Sequence, residues 1–94
     1  MKVFDKAQWH IDQGENTSEV IAKFKAVFSF LHAHKMLSAE GLEMYEFGID
    51  SSISLNERMV TPDGYSFMDK YYDKVINCSA ETISAELERT FSST

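Results

Sequence analysis

One cysteine, one proline and four glycines are all that this 94-residue chain holds of those types, and each scarcity removes a class of protein. The lone thiol, Cys78, can make neither an intramolecular disulfide nor an all-cysteine zinc site, which points to a reducing compartment, the cytoplasm. So little proline and glycine leaves no linker and no low-complexity tract. Basic residues are also scarce: nine Lys and Arg against fifteen Asp and Glu give a formal net charge of -6. That balance argues against general binding to phosphate backbones and permits a protein partner with a basic surface. The longest uncharged apolar stretch, Ala26 to Ala33, is interrupted by Ser29 and His32, so no membrane span is expected. The opening Met1-Lys2-Val3-Phe4-Asp5-Lys6 lacks the apolar core of a secretion signal.

What the chain does hold is apolar bulk. Hydrophobic residues make up 44% of it, with seven Phe, four Tyr and one Trp, far more than a disordered chain carries. At this length the expectation is one domain over residues 1–94 with a single core.

Phe4, Ala7, Gln8 and Ile11 follow the i, i+3, i+4, i+7 spacing, which predicts a short helix over 4–12, ended by the run Asp12 to Asn16. Asn16 with Glu19 three residues on is a variant of the capping box and opens the best helix, 17–36. Val20, Ile21, Phe24, Val27, Phe28 and Leu31 fill one arc of it, which makes it the central helix. Ser38 caps a third helix, 39–48, with Leu37 and Leu42 at the spacing of a hydrophobic staple and Gly48 as the stop. The three-residue join Met36-Leu37-Ser38 predicts that the two helices turn back on each other or cross as a helical corner.

Residues 50–61 read two ways. Ile53 and Leu55 alternate with serines as in a half-buried strand, while Ser54-Leu55-Asn56-Glu57 is also a capping box. Thr61-Pro62 then starts a helix to about Asn77, and Ser79 caps a last one bearing Ala80, Ile83, Leu87 and Phe91. That final stripe is narrow, which predicts a peripheral position or contact with a partner. The fold expected is mainly α: a bundle of four to five short helices around helix 17–36, with an irregular or short-hairpin segment at 50–61.

No pattern in the chain places a catalytic group or a cofactor. His32 and His34 stand two apart, about 200° around a helix, so they cannot share an ion as an i, i+4 pair does. Asp50, Ser52, Ser54 and Asn56 alternate oxygen ligands as a calcium loop does, yet Leu55 stands where the turn glycine belongs and Thr61 where a bidentate Glu belongs. No metal, cofactor or catalytic residue is expected. Glu40 with Glu43 and Asp69 with Asp73 share helix faces as carboxylate pairs, but nothing supplies the cleft that acid-base chemistry needs. A small enzyme of unknown reaction therefore ranks third.

The stretch Arg58-Met59-Val60-Thr61-Pro62-Asp63-Gly64-Tyr65, continuing to Tyr72, resembles the part of bacterial winged-helix regulators where a wing strand runs into a helix beginning Thr-Pro-x-Gly. The resemblance covers about a sixth of the chain. It implies a winged-helix-like α+β fold, a hairpin at 52–61, a recognition helix at 39–48 and a nucleic-acid-binding regulator. Glu40, Glu43 and Glu46 depart from that pattern, since they load the supposed recognition helix with the charge of the groove it would enter.

Charge segregation is the remaining feature. Residues 36–57 hold Glu40, Glu43, Glu46, Asp50 and Glu57 and no basic side chain. On a wheel at about 100° per residue, Leu42, Tyr45 and Ile49 face inward while Phe47 falls between Glu43 and Glu40, with Met44 adjacent. Glu40, Glu43, Met44, Glu46 and Phe47 are thus the expected partner-binding residues of a non-catalytic interaction module, of inhibitor, immunity-like or regulatory-subunit type, docking through the 38–50 helix. Segment 50–60 covering Phe47 is the bland alternative. A second expectation is a homodimer contact. Phe30 falls about 60° outside the main arc of its helix, beside Lys23 and His34, and needs a neighbour from a second copy or from a terminal helix.

Overall fold

The computed structural model describes residues 1–93. The elements run β1 (Val3–Lys6), α1 (Ala7–Asp12), α2 (Thr17–Ala33), α3 (Ala39–Phe47), β2 (Ser54–Asn56), a 3₁₀ turn (Glu57–Met59), α4 (Pro62–Val75) and α5 (Ile83–Ser92). The fold is mainly α, five helices with one small two-stranded antiparallel sheet.

Three of the helix starts are set by the residues that the sequence marks. The Asn16 side chain accepts from the Glu19 N–H at 3.0 Å, Ser38 Oγ from the Gly41 N–H at 3.1 Å, and Thr61 Oγ1 from the Gly64 N–H at 3.1 Å, with Pro62 in the first helical position. Each satisfies a donor that the first turn leaves free. Helix α2 stops at Ala33, three residues before the expected end. Lys35 takes φ 58°, the Met36 N–H reaches back to the Leu31 carbonyl at 2.8 Å and the Lys35 N–H to that of His32 at 3.1 Å. This is a Schellman closure with lysine where glycine is usual.

Val20, Phe24, Val27, Phe28 and Leu31 of α2 are all buried, and they pack with Met68, Tyr72 and Val75 of α4, Ile83 and Leu87 of α5, and Leu55 of β2. The central helix is the one expected. The last helix is not peripheral, however: Ile83 and Leu87 have no exposed surface, so two residues of a narrow stripe suffice to seat α5 in the core. Nor does Ser79 cap that helix, which begins at Ile83. The Ser79 carbonyl instead accepts from the Thr82 and Ile83 N–H groups in the turn before it.

The N-terminus departs further. Residues 3–6 form a strand where helical spacing predicts a helix from residue 4, and α1 begins only at Ala7. The cause is a long-range partner. Val3 pairs with Asn56, Asp5 with Leu55 and Lys6 with Ser54, and an irregularity between Val3 and Asp5 lets the consecutive residues Phe4 and Asp5 both face inward. Of the two readings of 50–61 the strand holds: Ser54–Asn56 is a strand, with Leu55 and the preceding Ile53 buried, while the capping box at Ser54 does not form, because the Glu57 N–H goes to the Lys2 carbonyl and the Asn56 side chain caps a 3₁₀ turn instead, at the Arg58 N–H, 2.9 Å. Its strand partner is the N-terminus and not the adjoining chain. Beyond the turn, Val60 bridges Leu37, with the Ser38 N–H on the Met59 carbonyl at 3.0 Å and the Thr61 N–H on that of Met36 at 2.9 Å.

Candidate docking face

Helix α3 owes its position to Gly41, its one buried residue. A Cβ at Gly41 would lie 2.0 Å from the Met59 carbonyl oxygen, so only glycine lets the helix rest on the backbone of residues 58–60. Ser38 adds a second tie, its hydroxyl donating to the Arg58 carbonyl while its oxygen caps α3. Leu42 and Tyr45 on the inward side are half-buried, Ile49 is buried, and the Tyr45 ring lies 5.3 Å from that of His32 on α2.

The opposite side of α3 is open. Glu40, Glu43 and Glu46 are exposed and, among the described residues, none of them has an ion-pair partner. Phe47 is 87% exposed and Met44 37%. Segment 50–60 does not cover the ring. With Met44, Phe47 and Gly48, its residues Asp50, Ile53 and Met59 line a depression of about 270 Å³. Asp50 stands at its rim, where the hydroxyl and N–H of Ser52, at 2.5 and 2.8 Å, hold its carboxyl below the ordinary value. All five residues expected on the docking face are carried by α3 and each is exposed.

The expected self-association site is different. Phe30 is only 5% exposed, its ring 5.5 Å from Phe67, 6.0 Å from Phe91 and 4.7 Å from His34. The terminal helix supplies the neighbour, so the exposed aromatic on which that dimer contact depended is not there. Lys23 is buried as well, its ammonium donating to the Ile76 carbonyl at the end of α4, and burial lowers its pKa from 10.5. His34 pairs with Glu88 and stacks on Phe91 at 4.2 Å. All three hold α2 to the chain that follows it.

One polar constellation escaped the sequence reading altogether. Asp5 is buried and accepts from the Tyr72 hydroxyl at 2.8 Å and from the Lys6 N–H at 2.9 Å, with His10 Nε2 at 2.8 Å. The other ring nitrogen of His10 meets Glu15 at 2.7 Å. Burial first, and then the Asp5 carboxylate, push the Tyr72 phenol well above its ordinary value of 10.0. Among the described residues no buried side-chain nitrogen or oxygen lacks a hydrogen-bond partner. This network spends its valences on tying β1, α1 and α4 together. Asp5 and His10 lie five apart, a spacing without meaning until β1 turns into α1, and Tyr72 lies 67 residues after Asp5.

Among the described residues, no group of three or more His, Cys, Asp or Glu side chains is placed to hold a metal, and no helix is long and apolar enough to cross a membrane. Comparison of the chain with protein-family models, curated proteins and solved structures finds no match.

Proposed function

We propose that this protein is a non-catalytic interaction module that docks a protein with a basic surface through the outer face of α3. The observation that carries this reading is Phe47, 87% exposed between Glu40 and Glu43 on a helix with one buried residue. Leaving a phenyl ring in water forgoes about 1.5–3 kcal/mol of burial. Phe47 and Met44 supply the area that a partner desolvates, while Glu40, Glu43 and Glu46 steer and orient a basic surface. Glu40, Glu43 and Glu46, all exposed and without an ion-pair partner among the described residues, give that face one sign.

The test begins with capture of the partner from the native cell and continues with the purified pair. Phe47→Ser is expected to weaken binding about tenfold or more, a loss of about 1.4 kcal/mol, chiefly through faster dissociation. Glu40→Lys with Glu43→Lys is expected to slow association, and the difference from wild type should shrink as salt is raised. Folded variants that bind as wild type does would end the reading. Saturable binding to duplex DNA that weakens with salt would replace it with the nucleic-acid alternative.

A further inference from the structure

Phe47 has a counterpart on its own molecule. Gly48, which lines the depression described above, also lines a groove of about 550 Å³, floored by Ala22, Ala26 and Ser29 of α2 and walled by Tyr45 and Ile49. The small side chains on the floor leave room for a large one. Lys25 lines the same groove and, among the described residues, has no ion-pair partner. The chain therefore carries an exposed aromatic flanked by unpaired carboxylates and, one residue away, an apolar groove with an unpaired ammonium at its edge.

We infer that a second copy of this chain occupies the groove, each Phe47 seated between α2 and Tyr45 of the other copy, with Glu43 of each beside Lys25 of the other. Two things favour this occupant over an unrelated one. The charges flanking the aromatic and the groove are opposite, so the surface complements itself. Gly48 lines both the depression beside Phe47 and the groove, so aromatic and groove adjoin at the end of α3. A two-fold axis near Gly48 then closes the pair, whereas an aromatic and a groove on opposite faces would propagate a filament. The dimer does not depend on the basic partner, but it uses the same ring. A dimeric chain hides Phe47 and a docked chain cannot dimerise, so the two states exclude each other.

Sedimentation velocity of the intact chain from micromolar to millimolar concentration, at low salt, tests this. A concentration-dependent dimer is expected. Phe47→Ser and Ala22→Trp, both at exposed positions, should each weaken it at least about tenfold while circular dichroism and the melting temperature stay as in wild type. Lys25→Glu should also weaken it, and Lys25→Glu combined with Glu43→Lys should restore it, because the swap rebuilds the pair with its signs reversed. A monomer at every concentration overturns the inference, and so does a dimer that survives either Phe47→Ser or Ala22→Trp. Neither result bears on the basic partner, whose binding is measured separately.

Discussion

Tyr72 and Asp5 show how much one side-chain pair decides. The phenol is fully buried and donates to a buried carboxylate, so removing its hydroxyl leaves an acceptor short of a donor. Tyr72→Phe should cost about 1.5–3 kcal/mol near neutral pH, as hydrogen bonds to charged groups do. The alkaline limb separates this account from simple loss of packing. A phenol whose pKa is raised in the folded state keeps its proton where an unfolded chain would release it. Its stabilisation is fully present below the ordinary value of 10.0 and falls away above it, by about 1.4 kcal/mol per pH unit. Lys23 works in the opposite sense. Its lowered pKa penalises the folded state at neutral pH, and that penalty is relieved as pH rises toward 10.5. Denaturant midpoints measured across this window should fall steeply for wild type and markedly less for Tyr72→Phe. Parallel alkaline limbs would show that the phenol keeps its ordinary pKa in the fold.

At the scale of elements, local signals were readable and long-range ones were not. Asn16, Ser38 and Thr61 each cap a helix within three residues of themselves, so their chemistry is complete in a short window. Phe4 obeys a helical spacing and is part of a strand, because Asn56 and Leu55, the partners of its neighbours Val3 and Asp5, lie some fifty residues away and no window contains them. Phe30 and Phe47 make the sharper contrast. The helical wheel turns both outward from the main core arc, yet Phe30 is buried and Phe47 is exposed. It could not know that α5 would lie over Phe30 and nothing over Phe47, since a wheel gives a direction and not what stands there.

The seat of α3 was equally hidden, for Gly41 reads in sequence as a weak helix residue and in the structure as a point of backbone contact. An added methyl has no room against the Met59 carbonyl, and the obstacle is main chain, which cannot turn aside as a side chain can. Gly41→Ala is expected to lower stability by about 1–3 kcal/mol, despite alanine's better helix propensity. It should also loosen α3, raising hydrogen exchange at the Ser38 amide, whose bond to Met59 would break. A variant as stable as wild type would show that α3 does not rest on this contact.

Across the whole molecule, stability and candidate function are kept apart. The core is built from α2, α4 and α5 together with β1 and the segment 53–60, while the outer face of α3 contributes almost nothing to it. Position in the chain is a poor guide here: chain ends usually fray, but β1 brings the buried Phe4 and Asp5. Asp5 joins Tyr72 of α4 to His10 of α1, and the strand's amides join both to β2. Deleting residues 1–6 would strip Tyr72 and His10 of their shared acceptor and open the core beside Leu55, a loss of several kcal/mol on the scale of a broken buried charge pair and a missing Phe. A domain of this size has only about 5–15 kcal/mol to lose. The expected outcome is a chain without a cooperative thermal transition. Phe47→Ser, by contrast, removes a larger side chain than any of those six residues except Phe4, yet should leave the melting curve within about 0.5 kcal/mol of wild type, as exposed substitutions do. Melting the two variants side by side decides the point. A six-residue deletion that still melts cooperatively near the wild-type temperature would mean that β1 is an appendage, and a Phe47→Ser variant that unfolds would mean that the ring belongs to the core and is not free to bind.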